Sequence, residues 1–383
     1  MISFQKAVLP FLTISALFAV FFAKEGTEPP EPSFEPVVET TDDALFSPVS
    51  FNDLTGWRDD DVLQALPAMK KSCEAVLHKK RGYKKICAGL KNKNFSNADE
   101  LRAFLEKTMT PYAVNGGKEG VFTGYYEPEI PASSVRTKKF SVPLYEMPDD
   151  LVSFSVKDFS KDRPNESFFG KVSNGKLKPY FNRAQIEKNG VPAKVIAYVE
   201  HKADAFILQI QGSGVLIFPD NKRIRVGYAA NNGHVFTGIG KIMLKKRLLK
   251  KGKADMNSIR RFLIDNPELG DALMRENKRY IFFKINKNLG ATGALGVVLT
   301  PERSLAVDPK YIPLGSFLWL QTERPEMDRL VCAQDTGAAI KGKVRGDFFF
   351  GTGHKAFEQA AVMKTQGIYF ILLPKSDKKG INR

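Results

Sequence analysis

From residue 121 almost to its end, the chain is cut into short β-prone runs separated by Gly, Pro, Asn and Asp. They are VFTGYYEPEI (121–130), AKVIAYVE (193–200), AFILQIQG (205–212), VLIF (215–218), RIRVGY (223–228), RYIFFK (279–284), GVVLT (296–300), SLAV (304–307), GSFLWLQ (315–321), LVCAQ (330–334) and YFILL (369–373). Runs this short cannot be long helices, and β-branched and aromatic residues favour pleated surfaces. PDNK (219–222) between two of them reads as a hairpin turn. Closely spaced strands with polar turns point to a mainly β chain built on a small barrel or sandwich. No repeat of solenoid length accompanies them.

Helical signals flank these runs. The acidic triplet 59–61 opens an amphipathic stretch to about residue 80, broken or kinked near Pro67. Ser96 with Asp99 makes a capping-box pattern before LRAFLEKTM (101–109). In the middle of the chain, GIGKIMLKKRLLKK (238–251) has apolar residues at helical spacing and a basic face. Helices at 258–264 and 267–277 follow, the second started by Pro267 and capped by Asn266. The order is helices, strands, a mixed segment, then strands again. The economical reading is a discontinuous domain, 48–125 with 286–383, interrupted by an insert at 126–285. A groove between two such units would be a favoured ligand site.

The termini and the charge bound the function classes. An apolar run at 8–22 follows Lys6, the only early charge, and ends at Ala23. It is short for a membrane span, which needs about 20 residues, and fits a secretory signal peptide, 1–23. An uncleaved anchor is the rival. No cysteine stands there to carry a lipid, so the expected location is the periplasm, without lipidation. Residues 24–47 are acidic and Pro-rich and read as a disordered tether. Net charge is +16 over 383 residues, which suits an anionic partner. Nucleic acid is an improbable one, because no zinc-finger spacing, basic zipper or RNA-binding aromatic motif is present. Export would permit a Cys73–Cys87 disulfide; two buried thiols are the equal alternative, and Cys332 belongs to the core. The four histidines have no metal-ligand spacing, so neither a metal nor a cofactor is expected.

Chemistry concentrates in AQDTGAAIKGKVRGDFFFGTG (333–353). Asp335 and Asp347 stand there among glycines, and Asp347 precedes an aromatic run, 348–350. No nucleophile elbow occurs, since QGSG (211–214) lacks the first glycine, and no phosphate loop occurs. That leaves carboxylates. A carboxyl group dried by aromatics has a raised pKa and can serve as a general acid, which glycosidic cleavage requires. On composition alone, Asp335 as a turn cap and Asp347 as a surface loop residue remain the alternative.

DTGAAIKG (335–342) and RGDFFFGTG (345–353), with SLAVDPKYIPLGS (304–316) upstream, resemble the three-aspartate (3D) domain of the membrane-bound lytic murein transglycosylase A (MltA) family. TGYYEPEI (123–130), YFNRAQI (180–186), LQIQGSG (208–214), VGYAANNGH (226–234) and YIFFK (280–284) resemble other family segments in family order. The resemblance implies a discontinuous double-psi β-barrel, its 3D part at about 290–375, with an inserted second β-barrel domain, peripheral α-helices and a glycan groove. It also implies a lyase of peptidoglycan glycan strands that cuts the MurNAc-β-1,4-GlcNAc bond and leaves a 1,6-anhydro ring. By the same resemblance, Asp347 is the catalytic acid and then base, Asp335 its companion, and Asp308 the earlier member of the aspartate set. Two departures stand out: Ala338 occupies the place of a second glycine, and the spacing to Asp347 is one residue longer than usual.

Weaker candidates complete the list. Tyr125 and Tyr126 are candidates to stack on sugar faces, Gln211 and Ser213 to hydrogen-bond acetamido or hydroxyl groups, and Lys341 to contact the ligand. As core strand residues, a plain bulge and a solvated lysine they would need no ligand. A hydrolytic glycosidase using both aspartates, and a non-catalytic glycan-binding protein, are the competing readings. The enzyme is expected to act as a monomer, with outer-membrane or cell-wall-synthesis proteins as candidate partners.

Overall fold

The computed structural model describes residues 45–159, 167–250 and 255–375. The expected signal segment 1–23 and nearly all of the tether lie outside them. Among the described residues the chain is mainly β. The first strands are β1 (Phe46–Pro48), β2 (Met109–Val114) and β3 (Gly120–Glu127). Then come β4 (Glu129–Ser133), β5 (Val142–Tyr145), β6 (Val152–Ser155), β7 (Ser167–Ser173), β8 (Lys176–Pro179), β9 (Val195–Val199), β10 (Ser213–Ile217), β11 (Arg223–Asn231) and β12 (Ile281–Ile285). The last are β13 (Ser304–Val307), β14 (Phe317–Thr322), β15 (Arg329–Asp335), β16 (Arg345–Thr352) and β17 (Lys364–Pro374).

Eight strands form one sheet in the order β1-β2-β17-β14-β15-β13-β16-β3. Strand β3 also pairs with β17, so six of them, β17-β14-β15-β13-β16-β3, close into a ring. Two pairings in that ring are parallel, β13 with β15 and β16 with β3. The chain leaves this sheet at Pro128 and rejoins it at Ser304. In between, β12-β11-β10-β4-β9-β5 form a second sheet and β6-β7-β8 a third.

Strands β13, β14 and β15 are buried on both faces, which explains why their sequences are almost continuously apolar. Alternation sorts their side chains into two cores. Leu318, Leu320, Val331, Ala333, Tyr369 and Ile371 point into the ring, with Phe122, Leu305 and Phe348. Phe317, Trp319, Leu330, Cys332, Phe370 and Leu372 point outward, against helices α1 (Leu66–Ala75), α2 (Tyr83–Asn92) and α3 (Ala98–Thr108). Cys73 on α1 and Cys87 on α2 are joined by a disulfide, and Cys332 is buried and free. Of the two alternatives for that cysteine pair, the structure takes the bridge.

One buried ion pair docks this helical layer. Arg303, just before β13, donates from Nη1 and Nη2 to both oxygens of Asp60 at 2.8 Å, and to the Leu330 and Asp61 carbonyls. The Leu330 N–H also donates to Asp60. Gln334 does similar work, with Nε2 donating to the Ala68 carbonyl and to Ser72 Oγ.

Several sequence expectations are corrected. AFILQIQG is not a strand but most of helix α5 (Lys202–Gln211), which follows α4 (Arg183–Asn189) and ends at left-handed Gly212. Residues 205–209 are buried in an unbroken row, so neither period was visible there. GVVLT contributes one bridge, Thr292 with Val298, and otherwise turns. Pro67 occupies the first turn of α1 instead of kinking a longer helix. The cap of α3 is Asn97, one residue after Ser96; its side chain accepts from the Glu100 N–H, while the Ser96 N–H donates to the Glu100 carboxylate. The basic patch is helical only as α6 (Ile239–Lys245); α7 (Met256–Asp265) and α8 (Pro267–Glu276) follow. Asn266 precedes α8 but its side chain donates back to the Phe262 carbonyl, so it is no side-chain cap. Helix α9 (His354–Val362) packs beside β3 and β16.

Removing one partner of a buried, hydrogen-bonded charge pair leaves the other desolvated and uncompensated, at about 3–5 kcal/mol. Asp60→Ala should therefore lower unfolding stability by that amount, read as a lower urea midpoint, with the helical layer losing protease resistance first.

Candidate active site

Strands β3, β16, β13 and β15 place the polar residues of the glycine-rich segment on one patch. In the parallel β3–β16 ladder, Thr123 lies opposite Asp347 and Tyr125 opposite Phe349. On the other side of β16, Asp347 lies opposite Ala306. On the other side of β13, Ala306 lies opposite Asp335. Alanine thus separates the two aspartates, which are two strand spacings or about 10 Å apart at the backbone.

Asp335 reaches this patch because of a β-bulge. The β13–β15 register runs Leu305 with Ala333, then Ala306 with Asp335, skipping Gln334. Strict alternation would turn Asp335 into the ring with Val331 and Ala333. The extra residue re-aims it to the outer face, as bulges beside functional sites do. Gln334 is held there by the Ser304 hydroxyl, which donates to its Oε1 at 2.6 Å. A close approach also shapes this corner. A side chain on Gly293 would come within 2.4 Å of the Gln334 carbonyl oxygen, so the 291–299 turn can lie against β15 only with glycine there.

The aromatic run divides between two environments. Phe348 and Phe350 point into the ring core. Phe349 alone shares the outer face with Asp347, packed with Tyr125, Ala291 and Leu299. Of the aromatic run expected to leave Asp347 partly desolvated, alternation puts one ring on its face.

The two carboxylates have different partners. Asp335 Oδ1 accepts from the Ala294 N–H at 2.9 Å and the Thr336 N–H at 2.8 Å; Oδ2 accepts from the Tyr125 hydroxyl at 2.8 Å. Burial raises its pKa, and these three donors oppose the shift. Burial, then the neighbouring Asp335, push the Tyr125 hydroxyl well above its ordinary value, so it remains a donor. Asp347 Oδ1 accepts from the Thr123 hydroxyl at 2.5 Å. Its Oδ2 makes no hydrogen bond among the described residues. Its side chain keeps partial exposure, yet burial pushes its pKa up to about 6 against Thr123 and Arg345, which favour the ionised form. A carboxyl with that pKa and one open oxygen can give a proton near neutral pH and take one back.

The other candidates distribute unevenly. Asp308 is buried and ties two loops together, accepting from the Lys310 N–H at 3.2 Å and the Gly342 N–H at 2.9 Å. Gly342 has φ +123°, a conformation that suits glycine. Tyr125 holds Asp335 through its hydroxyl. Tyr126 packs its ring on Phe357, and its N–H donates to Gln211 Oε1 at 3.3 Å. Ser213 opens β10 opposite Gly227 and makes no hydrogen bond to the aspartates. Lys341 is exposed in the turn after Asp335. Sequence reasoning missed Thr123 and Arg345, which complete the Asp347 environment; threonine within TGYY and arginine before GD were the available signals.

Known proteins resemble this chain in sequence and in fold. The MltA specific insert domain matches residues 121–284 and the 3D domain matches residues 303–373. A crystal structure of MltA from Neisseria gonorrhoeae is 33% identical, with TM-score 0.75, covering 87% of this chain and 93% of that one. The chain belongs to the MltA family. A membrane-bound lytic murein transglycosylase structure from Agrobacterium tumefaciens is 28% identical, with TM-score 0.76, covering 86% and 98% of the two chains. Membrane-bound lytic murein transglycosylase A of Escherichia coli strain K12 is 30% identical over 265 residues, 66% of this chain and 65% of that protein. No metal-ligand cluster occurs among the described residues of this MltA-family chain.

The raised pKa of Asp347 has a stability consequence. The folded state holds this proton up to about pH 6, whereas an unfolded aspartate loses it near 3.8. Stability therefore falls as pH rises between those values, because the ionised form is disfavoured in the fold. Asp347→Asn removes the penalty. Its melting temperature should exceed wild type at pH 7–8, and the gap should close near pH 4.

Proposed function

We propose that this chain is a lytic transglycosylase of peptidoglycan, with Asp347 as the single general acid and then base. The observation that carries the reading is the asymmetry of the two carboxylates. Asp335 has both oxygens occupied by donors; Asp347 keeps Oδ2 open and holds its proton to about pH 6. A hydrolytic glycosidase needs two working carboxylates, one for the leaving group and one as nucleophile or base. A lytic transglycosylase needs one, because the C6 hydroxyl of the N-acetylmuramic acid attacks its own C1 and no water enters. Asp347 protonates the glycosidic oxygen as the C1–O bond breaks. The carboxylate then takes the proton of the C6 hydroxyl as the C6-oxygen-to-C1 bond forms. Asp335 positions Tyr125 and the turns at Ala294 and Thr336. The relatives named lytic murein transglycosylases supply the substrate class.

The finer architecture belongs to the same reading. Residues 48–125 and 286–383 form the catalytic unit, whose closed ring with two parallel pairs supports a double-psi β-barrel. Residues 126–285 form a glycan-binding β-barrel unit, and a glycan groove between the two reaches Asp347. The Glu127–Arg225 ion pair, at 2.9 Å, ties the end of β3 to β11 and supports a defined relation between the units. Tyr125, Tyr126, Gln211, Ser213 and Lys341 are the sugar contacts of that groove. The enzyme works as a monomer in the periplasm, a location that the disulfide supports. No described helix is long and apolar enough to cross a membrane.

With purified sacculi, the products should carry 1,6-anhydro ends by mass spectrometry; free reducing ends would establish hydrolysis instead. Asp347→Asn should lose about 10²–10⁴-fold in rate and Asp335→Asn less. Since the first step needs the protonated acid, the wild-type rate should fall as pH rises above about 6. A folded Asp347→Asn enzyme with near-normal turnover would remove Asp347 from the mechanism.

A further inference from the structure

Asp347 is reached by a chain of two side chains whose donor and acceptor roles are forced. Arg345 Nη2 donates to Thr123 Oγ1 at 2.8 Å. A guanidinium is never an acceptor, and a threonine hydroxyl has a single proton. The Thr123 proton is therefore free for Asp347 Oδ1, at 2.5 Å. Arg345 is itself held to both strands, since Nη1 donates to the Val121 carbonyl at 3.1 Å on β3 and to the Gly346 carbonyl on β16. It lies opposite Val121 as Asp347 lies opposite Thr123, so one parallel ladder sets the whole arrangement.

Resting on the assignment of Asp347 as the acid, we infer that Arg345 and Thr123 are positioning residues that decide which oxygen of Asp347 carries the transferred proton. With Thr123 donating to Oδ1, that oxygen cannot present a proton to Thr123. The proton sits on Oδ2, the oxygen open to a substrate. Without Arg345, the Thr123 hydroxyl can turn and accept from a protonated Oδ1, which stores the proton on the wrong side. In the second half of the reaction the same bond holds Oδ1 while Oδ2 takes the C6 proton. Thr123 therefore serves both halves without changing its own protonation. The other charged or titratable groups facing Asp347 are Asp335 on β15 and Tyr125 on β3, and the Tyr125 proton is committed to Asp335.

The test compares Thr123→Val, Thr123→Ser and Arg345→Gln with wild type and Asp347→Asn, each first checked by melting temperature. Release of 1,6-anhydro products from soluble glycan strands gives kcat and KM across pH 4.5–8. Thr123→Val should lose up to about 10²-fold in kcat, the scale of a misplaced catalytic group, with KM little changed. Thr123→Ser, which keeps the hydroxyl, should recover most of that loss; a purely structural role for the methyl group would not produce this. Arg345→Gln should lose about tenfold in kcat, and its high-pH decline should move upward, because a cation that favours ionised Asp347 is gone. Thr123→Val and Arg345→Gln with wild-type kcat and an unmoved pH profile, beside an inactive Asp347→Asn, would overturn this inference alone. An active Asp347→Asn would overturn the acid assignment beneath it.

Discussion

Strand β3 hydrogen-bonds on both edges, to β16 in parallel and to β17 antiparallel, and this double pairing closes the ring. Closure removes free strand edges and holds β16 in a register that a single pairing would leave looser. The same strand brings Thr123 against Asp347 and Tyr125 against Asp335, so the ladder that completes the fold also completes the site. At its end, buried Glu127 accepts from Arg225 and from the Thr352 hydroxyl. One eight-residue strand therefore carries ring closure, carboxylate orientation and the attachment of β11.

Two carboxylates with similar burial have separate fates because their hydrogen-bond partners differ. Burial raises both, since an ionised carboxylate loses hydration that a protein must replace. Around Asp335 the replacement is full: two N–H groups and a tyrosine hydroxyl converge on it. Around Asp347 it is partial, one hydroxyl and a cation one bond further away. Environments that separate two titratable neighbours in this way are how a site assigns acid chemistry to one of them.

The outer face of the ring is used twice. On one side it binds α1–α3 through Trp319, Leu330, Cys332 and the Arg303–Asp60 pair. On the other it presents Asp347, Phe349, Tyr125 and Thr123. Rigidity from the helical side steadies the carboxylate side, since β15 takes part in both. The inward side chains of the same strands fill the ring with an apolar core.

Much of this was legible in the chain. Apolar runs with turn residues located most strands, PDNK located the β10–β11 hairpin, and DTGAAIKG and RGDFFFGTG located both aspartates, because such patterns depend only on local backbone chemistry. The identity of AFILQIQG was not legible, since five consecutive buried residues, 205–209, show neither helical nor strand periodicity. Nor could the sequence show which of three phenylalanines faces Asp347, that a bulge at Gln334 turns Asp335 outward, or that Thr123, 224 residues away, donates to Asp347. Those depend on register between distant strands. Register is set by closure of the whole ring, and so only the tertiary structure decides which carboxylate is saturated with donors and which keeps an open oxygen.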